Sequence, residues 1–260
     1  MRKFFSLVFI FTLLFAACTT TQKVTEEDQA LLTDAEQTFI TAMGEKDIAV
    51  VKNDTKEGDA VLRRLSKKSL MGTVGYDVLE RKMMKALEKE KGVGIAAPQI
   101  GVNRRLVIVQ RLDKEMKPFE YYYNLVILEM KGEMIEGWEG CLSVPAGFGK
   151  VKRQQDILIE YDVMAEGKIT RKQEHIIGFV AVIFQHELDH LNGVLFIDKK
   201  CEGVLVPKDE YRAMRMKEKE QKELDAQKTI EKEEQKVEEN IEPETTPENP
   251  DSEPVKIEKE

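Results

Sequence analysis

The chain has 260 residues, a formal net charge of −8 and 42% hydrophobic residues, which is ample for a folded domain with a buried core. From Pro207 to the C-terminus acidic residues outnumber basic ones and carry most of the negative charge, so the preceding part is near neutral. This distribution predicts no nucleic-acid surface. Three cysteines that lie far apart do not make the framework of a disulfide-stabilised domain.

The first 18 residues have the pattern of a targeting signal. Arg2 and Lys3 precede an apolar stretch, residues 4–15, that is short for a membrane span, and small residues stand directly before Cys18. This arrangement resembles a bacterial lipoprotein signal. The resemblance implies cleavage before Cys18, a lipid on that cysteine and an anchor in the cell envelope, at the periplasmic or the outer surface. The alternatives are an uncleaved signal anchor, an ordinary secretory signal and a cytoplasmic location.

The remaining chain divides into three segments by composition. Residues 19–47 are polar and fit a tether or a short helix equally well. A compact domain is predicted over residues 48–206, with a short strand at 48–51 and a helix that Asp77 caps and Gly92 ends. Further strands are predicted at residues 106–109, 121–128, 157–163 and 168–173. Residues 207–260 are predicted to form an exposed charged helix followed by a disordered acidic tail.

The sequence Gln-His-Glu-Leu-Asp-His-Leu-Asn-Gly at residues 185–193 is the most informative stretch. On a helix, His186 and His190 project from one face about one turn apart, so their imidazoles can chelate one divalent metal ion. Glu187 follows the first histidine closely enough to handle a proton on a water of that metal. The apolar residues 178–184 in front of this motif predict that the helix is buried.

Two stretches in the middle of the chain contain residues that such a site needs. Small residues surround Gln99, where glycines let a ligand approach the backbone and a glutamine amide can donate to a developing oxyanion. Cys141 is a candidate third ligand, because a thiolate with two imidazoles leaves a fourth position for water. Taken alone, Cys141 is better explained as a small buried residue, and a zinc-type protease would instead use Glu202 or Glu210.

Three sequence blocks in order resemble the three motifs of peptide deformylases. They are Gly-x-Gly-x-Ala-Ala-x-Gln, Glu-Gly-Cys-Leu-Ser and Gln-His-Glu-x-Asp-His-Leu-x-Gly, and the resemblance covers roughly residues 48–198. It implies an α+β fold in which mixed or antiparallel β-sheets surround a central metal-binding helix. It also implies that Cys141, His186 and His190 hold one divalent metal ion, with Fe²⁺ favoured and Zn²⁺ or Ni²⁺ as alternatives.

The reaction implied by this resemblance is hydrolysis of the N-formyl group from N-formylmethionyl peptides, which gives formate and a free N-terminus. Glu187 would act as general base and then acid, and the Gln99 side chain and the Leu142 backbone N–H would meet the oxyanion. The residues implied to bind the peptide are Gly94 and Gly140 through their backbone, and Val93, Phe179, Val182 and Ile183 around the methionine. Two alternatives are an exported zinc-type metalloprotease and a non-catalytic envelope lipoprotein that binds peptides.

Overall fold

A computed structural model describes residues 30–43 and 48–239 in two compact units. The first unit contains the described residues up to Pro145 together with Gly149–Gly203, and the second contains residues 146–148 and those from Val204 onward. The predicted signal, Cys18 and the end of the acidic tail lie outside the described residues. Within the described ranges, no helix has both the length and the apolar character needed to cross a membrane.

The first unit has an antiparallel sheet with helices on both faces. Its strands pair in the order β1-β2-β3-β4-β5, each antiparallel to the next. The strands are β1 (Gly94–Ala96), β2 (Leu106–Gln110), β3 (Phe119–Cys141), β4 (Val144–Ala165) and β5 (Lys168–Ile177). The helices are α1 (Asp34–Ala42), α2 (Lys56–Leu62), α3 (Tyr76–Glu90) and α4 (Phe179–Leu191), with 3₁₀ turns at Ala97–Ile100 and Phe196–Asp198. This architecture confirms the predicted α+β class, in its antiparallel form.

Two hydrophobic cores lie on opposite faces of the sheet. Successive side chains of a strand point to opposite faces, and β2 shows this directly. Leu106 and Ile108 belong to the first core, with residues of α1 and α3, whereas Val107 and Val109 belong to the second core, with residues of α4. Helix α4 therefore packs on one face of the sheet, where the second core fixes the position of the helix and of the histidine motif that it carries.

Strands β3 and β4 are much longer than the sequence predicted. The predicted strand at 121–128 extends to Cys141, and the predicted strand at 157–163 begins already at Val144. Four register shifts interrupt their pairing, and the intervening part of β3 carries mainly exposed side chains. Little of the β3 extension is buried on either face. In β4 every second residue from 147 to 153 is buried, but these residues include Gly147, Gly149 and Arg153, so hydrophobic alternation could not reveal the strand. The hairpin ends where Cys141 pairs with Val144, and this pairing fixes the cysteine at the tip.

The described part of the segment predicted to be a tether or a helix forms helix α1. Thr33 begins it with a capping box in which Thr33 and Glu36 satisfy each other's backbone N–H groups. Leu32 and Ile40 are buried in the first core. Glu36 also makes a bidentate pair with Arg104, at 2.9 and 2.6 Å. The placement of the domain boundary near residue 48 stays a prediction.

Two local predictions in the first half of the chain were wrong. Helix α3 begins after Gly75, whose φ of 90° favours glycine, and Asp77 lies in its first turn instead of capping it. Residues 48–51 form no strand; Ile48 and Val50 are buried in the first core. Apolar β-branched residues next to each other indicated burial correctly, but burial alone does not require strand pairing.

The second unit consists of a short backbone pairing and a long charged helix. Phe148 and Val206 exchange two backbone hydrogen bonds of 2.8 Å, and the ring of Tyr211 stacks on that of Phe148 with centroids 4.0 Å apart. Helix α5 (Lys208–Glu239) is exposed and carries ion pairs three or four residues apart, such as Arg215–Glu218. This agrees with the exposed charged helix that the sequence predicted.

Candidate active site

Helix α4 and the tip of the β3–β4 hairpin bring three candidate metal ligands together. Gly178, with a φ of 74°, turns the chain from β5 into α4, and the helical period then places His186 and His190 on one face. Their ring centroids are 5.1 Å apart. Cys141 reaches them from the hairpin, with its Sγ 3.2 Å from Nε2 of His190. One ligand atom from each of these three residues lies within 4.8 Å of the other two.

The environment of Cys141 favours its thiolate form. Burial on its own would raise the pKa of the thiol, but the imidazoles of His190 and His186 outweigh burial and hold the pKa well below its ordinary value. The backbone N–H of Ser143 also donates to Sγ at 3.3 Å. Because a thiolate is the form that binds metals, this surrounding suits a ligand better than a buried apolar residue.

A buried ion-pair network holds His186 from behind. Nδ1 of His186 lies 2.9 Å from Glu139 Oε2, so donation from Nδ1 leaves Nε2 free to bind a metal. Arg153 makes two bonds to Glu139, at 2.7 and 2.9 Å, and a third to Asp189 at 2.7 Å. Burial on its own would raise the pKa of Glu139, but Arg153 and His186 outweigh burial and lower the pKa to about 2. The carboxylate is therefore charged throughout the neutral range.

The supporting role of this network was missed from the sequence. Glu139 and Asp189 stand inside the recognised blocks, so their positions beside the ligands were a usable signal. Arg153 lies on β4 outside every block. In the sheet, Arg153 pairs with Ile135 of β3, and this register puts it on the same face as Glu139. Only this pairing shows that Arg153 can reach Glu139.

Glu187 is buried beside the three ligands and has the properties of a proton acceptor. Its exposed fraction is 4%, and burial raises its pKa to about 7, against the opposing effect of His186 and His190. Its Oε2 atom has no hydrogen-bond partner among the described residues. A Cβ atom at Gly94 would lie 2.4 Å from Glu187 Oε1, so strand β1 can approach this carboxylate only through a glycine.

Gln99 lies in the 3₁₀ turn Ala97–Ile100 and is 1% exposed. Its amide orientation is fixed, because Oε1 accepts from the backbone N–H of Ala96 at 2.8 Å. Nε2 therefore faces the hairpin tip, 3.3 Å from the Ser143 hydroxyl and 3.7 Å from Cys141 Sγ. The predicted amide donor and the predicted backbone donor, Leu142, consequently lie close to the candidate ligands.

The residues predicted to bind the peptide are placed on three elements around these groups. Gly94 is in the edge strand β1 and Gly140 is at the end of β3. The apolar residues differ in exposure: Val93 and Phe179 are exposed, Val182 is partly buried, and Ile183 is buried in the second core. Their contacts with a peptide stay a prediction.

The chemistry of these residues fits a divalent metal ion. A thiolate and two imidazoles form a donor set that suits zinc or ferrous iron, and one histidine is already oriented by a carboxylate. Among the described residues, the buried Glu187 Oε2 has no hydrogen-bond partner, which is costly unless the site binds something else. The alternative ligands, Glu202 and Glu210, are both exposed, and neither belongs to the Cys141, His186 and His190 cluster.

Comparison with known proteins identifies one and the same family by its family model and by individual relatives. Residues 52–203 match the family model described as polypeptide deformylase. A peptide deformylase of Halothermothrix orenii is 40% identical over 144 residues, 55% of this chain and 90% of that protein. One from Acetivibrio thermocellus is 38% identical over 144 residues, 55% of this chain and 80% of that protein.

Solved structures agree with this result. The chain resembles a class I type b peptide deformylase from Acinetobacter baumannii with a TM-score of 0.52 and 33% identity, over 58% of this chain and 97% of that one. It resembles a Thermotoga maritima peptide deformylase with a TM-score of 0.51 and 31% identity, over 60% of this chain and 97% of that one.

The fold, the Cys-His-His cluster and the buried glutamate define a metal-dependent hydrolase. More narrowly, this chain belongs to the polypeptide deformylase family, as its three sequence blocks indicated.

Proposed function

We propose that this protein hydrolyses the formyl group from N-formylmethionyl peptides, with Cys141, His186 and His190 holding one divalent metal ion. The observation that carries the proposal is the buried Glu187, whose Oε2 has no hydrogen-bond partner among the described residues, beside that three-ligand cluster. A solved relative from Acinetobacter baumannii with Met-Ala-Ser bound is 30% identical, with a TM-score of 0.51. Ferrous iron is the proposed native metal, with zinc and nickel as substitutes.

The proposed catalytic role of each group follows from the position of its side chain or backbone N–H. When bound, the metal ion supplies Lewis-acid activation of water and of the formyl carbonyl. Glu187 takes a proton on its Oε2 atom and later delivers it to the departing amine, as a general base and then a general acid. The Gln99 amide and the Leu142 N–H donate to the oxygen on which negative charge develops.

Peptide binding is proposed to use the glycines and apolar residues around the cluster. Gly94 and Gly140 would pair with the peptide backbone in the manner of an added strand, because both lie in strands. Val93, Phe179, Val182 and Ile183 would surround the methionine side chain. A zinc-type protease is disfavoured by family membership and by the place of Cys141 in the cluster. A pure peptide binder would have no use for a buried general base.

The experiment is an anaerobic assay of the full chain, purified in detergent and loaded with ferrous iron or nickel. We expect formate release from formyl-Met-Ala-Ser, and a fall of about 10³-fold in turnover in Glu187→Gln with the metal content unchanged. Glu57→Gln is the matched control, since Glu57 is an exposed glutamate in α2. Stoichiometric metal without formate release from the unmodified chain would refute the proposed activity.

We further propose that the protein is anchored in the cell envelope through a lipid on Cys18 and acts on formyl peptides outside the cytoplasm. The support is the basic start, the short apolar stretch and the small residues before Cys18. The test is membrane fractionation and palmitate labelling of the unmodified chain beside Cys18→Ser, with Cys201→Ser as control. Label that persists in Cys18→Ser, or unmodified chain found in the cytoplasmic fraction, rejects this location.

A further inference from the structure

The short segment 51–53 joins the two places that hold the proposed oxyanion donors. At one end the backbone N–H of Val51 donates to the carbonyl of Gln99 at 2.7 Å. At the other end the N–H of Asn53 donates to the carbonyl of Ser143 at 2.9 Å. Between them, the ammonium group of Lys52 donates to the carbonyl of Leu142 at 2.6 Å. Three consecutive residues thus hold both the glutamine turn and the hairpin tip.

The hydrogen bond from Lys52 holds the peptide unit that follows the proposed backbone donor, the N–H of Leu142. The Leu142 carbonyl belongs to the peptide between Leu142 and Ser143, and the N–H of the same peptide donates to Cys141 Sγ at 3.3 Å. This peptide plane is therefore held at both ends. The N–H of Leu142 belongs to the preceding peptide, which the pairing of Cys141 with Val144 holds in the hairpin, so anchoring the next plane restricts the two backbone rotations at Leu142 that set the direction of this N–H. The opposing donor, the Gln99 amide, is already fixed through Ala96.

Lys52 has few other uses at this position. Its side chain is 34% exposed and its other ionic neighbour, Glu90 at the end of α3, lies 3.9 Å away. A partly exposed lysine does not need a backbone carbonyl to satisfy its charge, because water is available. A charged donor gives a stronger and more directional bond to that carbonyl than a neutral one.

We propose that Lys52 is a positioning residue for the oxyanion site: it holds the Leu142–Ser143 peptide so that the Leu142 N–H and the Gln99 amide converge on one oxygen. The inference rests on the proposed deformylase activity. It places a requirement for turnover outside the three sequence blocks. Because negative charge on that oxygen is greatest in the transition state, loss of Lys52 affects turnover and leaves substrate binding nearly unchanged.

The test compares Lys52→Met and Lys52→Arg in the full, metal-loaded chain, with Lys56→Met as control because Lys56 is exposed in the nearby α2. We expect Lys52→Met to lower kcat about tenfold, with KM within about twofold, and Lys52→Arg to recover most of the loss. Hydrogen exchange followed by mass spectrometry is the second measurement. The amides of Leu142 and Ser143 should exchange faster in Lys52→Met, with α4 unchanged.

Three outcomes overturn the proposal. Unchanged exchange at the hairpin tip shows that Lys52 does not hold it, even if kcat falls. Faster exchange throughout the chain shows a general structural role. Faster exchange at the tip with kcat unchanged shows that the peptide plane does not govern turnover. If the unmodified chain releases no formate, the proposed function fails, and the exchange comparison still decides whether Lys52 holds the tip.

Discussion

Two buried arginines, Arg153 and Arg104, each form a bidentate ion pair with a glutamate, and the two pairs have different consequences. Arg153 pairs with Glu139 and is 4% exposed at its side chain; Arg104 pairs with Glu36 and is 1% exposed. The chemistry of the two pairs is the same. The difference lies in what the carboxylates touch next.

Glu139 connects its arginine to the active site, whereas Glu36 connects its arginine to helix α1. Glu139 Oε2 is 2.9 Å from Nδ1 of His186, a proposed metal ligand. Glu36 instead contacts Thr33 at the start of α1. A buried ion pair therefore supports function only where one of its oxygens also orients a functional side chain, and elsewhere it supports folding.

The largest effect is expected for Glu139→Ala. It leaves Arg153 buried without this partner and removes the acceptor that orients His186. We expect metal affinity to fall by about 10–100-fold, measured by chelator competition. We also expect the metal-free chain to lose about 3–5 kcal/mol in the free energy of unfolding, measured by urea denaturation. An unchanged metal affinity would show that His186 needs no carboxylate to orient it.

A smaller effect, confined to stability, is expected for Glu36→Ala. Arg104 loses its bidentate partner, but Glu36 is 23% exposed, so water partly replaces it. We expect the free energy of unfolding to fall by about 2 kcal/mol, with kcat and metal affinity unchanged at 25 °C. A drop in metal affinity as large as that of Glu139→Ala would abolish the distinction between the two pairs.

The pH dependence of the free energy of unfolding gives a second test of the pair between Glu36 and Arg104. Burial on its own would raise the pKa of Glu36, but hydrogen bonds from Arg104 and Thr33 outweigh burial and hold the pKa below 4.5. A depressed folded-state pKa stabilises the protein above the unfolded value, and this stabilisation is lost as the pH falls through the folded value. The stability difference between the unmodified chain and Glu36→Gln should therefore be constant above about pH 5.5 and shrink below 4.5. A constant difference down to pH 3 would contradict this.

The smallest effect is expected for Arg81→Ala, which removes an exposed ion pair with Asp77 on α3. The two side chains are 64% and 67% exposed, so solvent screens their attraction. We expect no change in the urea midpoint beyond experimental error. A loss of stability comparable to that of Glu36→Ala would mean that burial does not determine how much these ion pairs contribute to the free energy of unfolding.

Much of the active site was predictable because its information is local or is carried by short blocks. The four-residue spacing of His186 and His190 sets one helix face without any knowledge of the rest of the chain. Gln99 and Cys141 were recognisable only because their blocks occur in order with the histidine block. By residue type alone, Cys141 was better explained as a buried apolar residue.

Other features left no local signal. In the long β3–β4 hairpin, β3 has mainly exposed side chains between its register shifts, and the buried alternate positions of β4 include two glycines and an arginine, so no hydrophobic alternation marks it. Helix α1 combines a cap at Thr33 with a single buried residue, Ile40, in a polar segment, a pattern that a tether could also show. Arg153 and Lys52 are ordinary basic residues until the fold places them beside Glu139 and the Leu142 carbonyl.

The sequence by itself determined the α+β class, the helix that carries two histidines and the family to which the chain belongs. The helix follows from the spacing of neighbouring residues, whereas the α+β class and the family follow from three short blocks that occur in order along the chain. Only the tertiary structure decided which arginine supports which glutamate, how far the hairpin extends, and which lysine holds the hairpin tip. Such pairings depend on strand register and on the packing of distant segments, and chain sequence constrains these only through the completed fold.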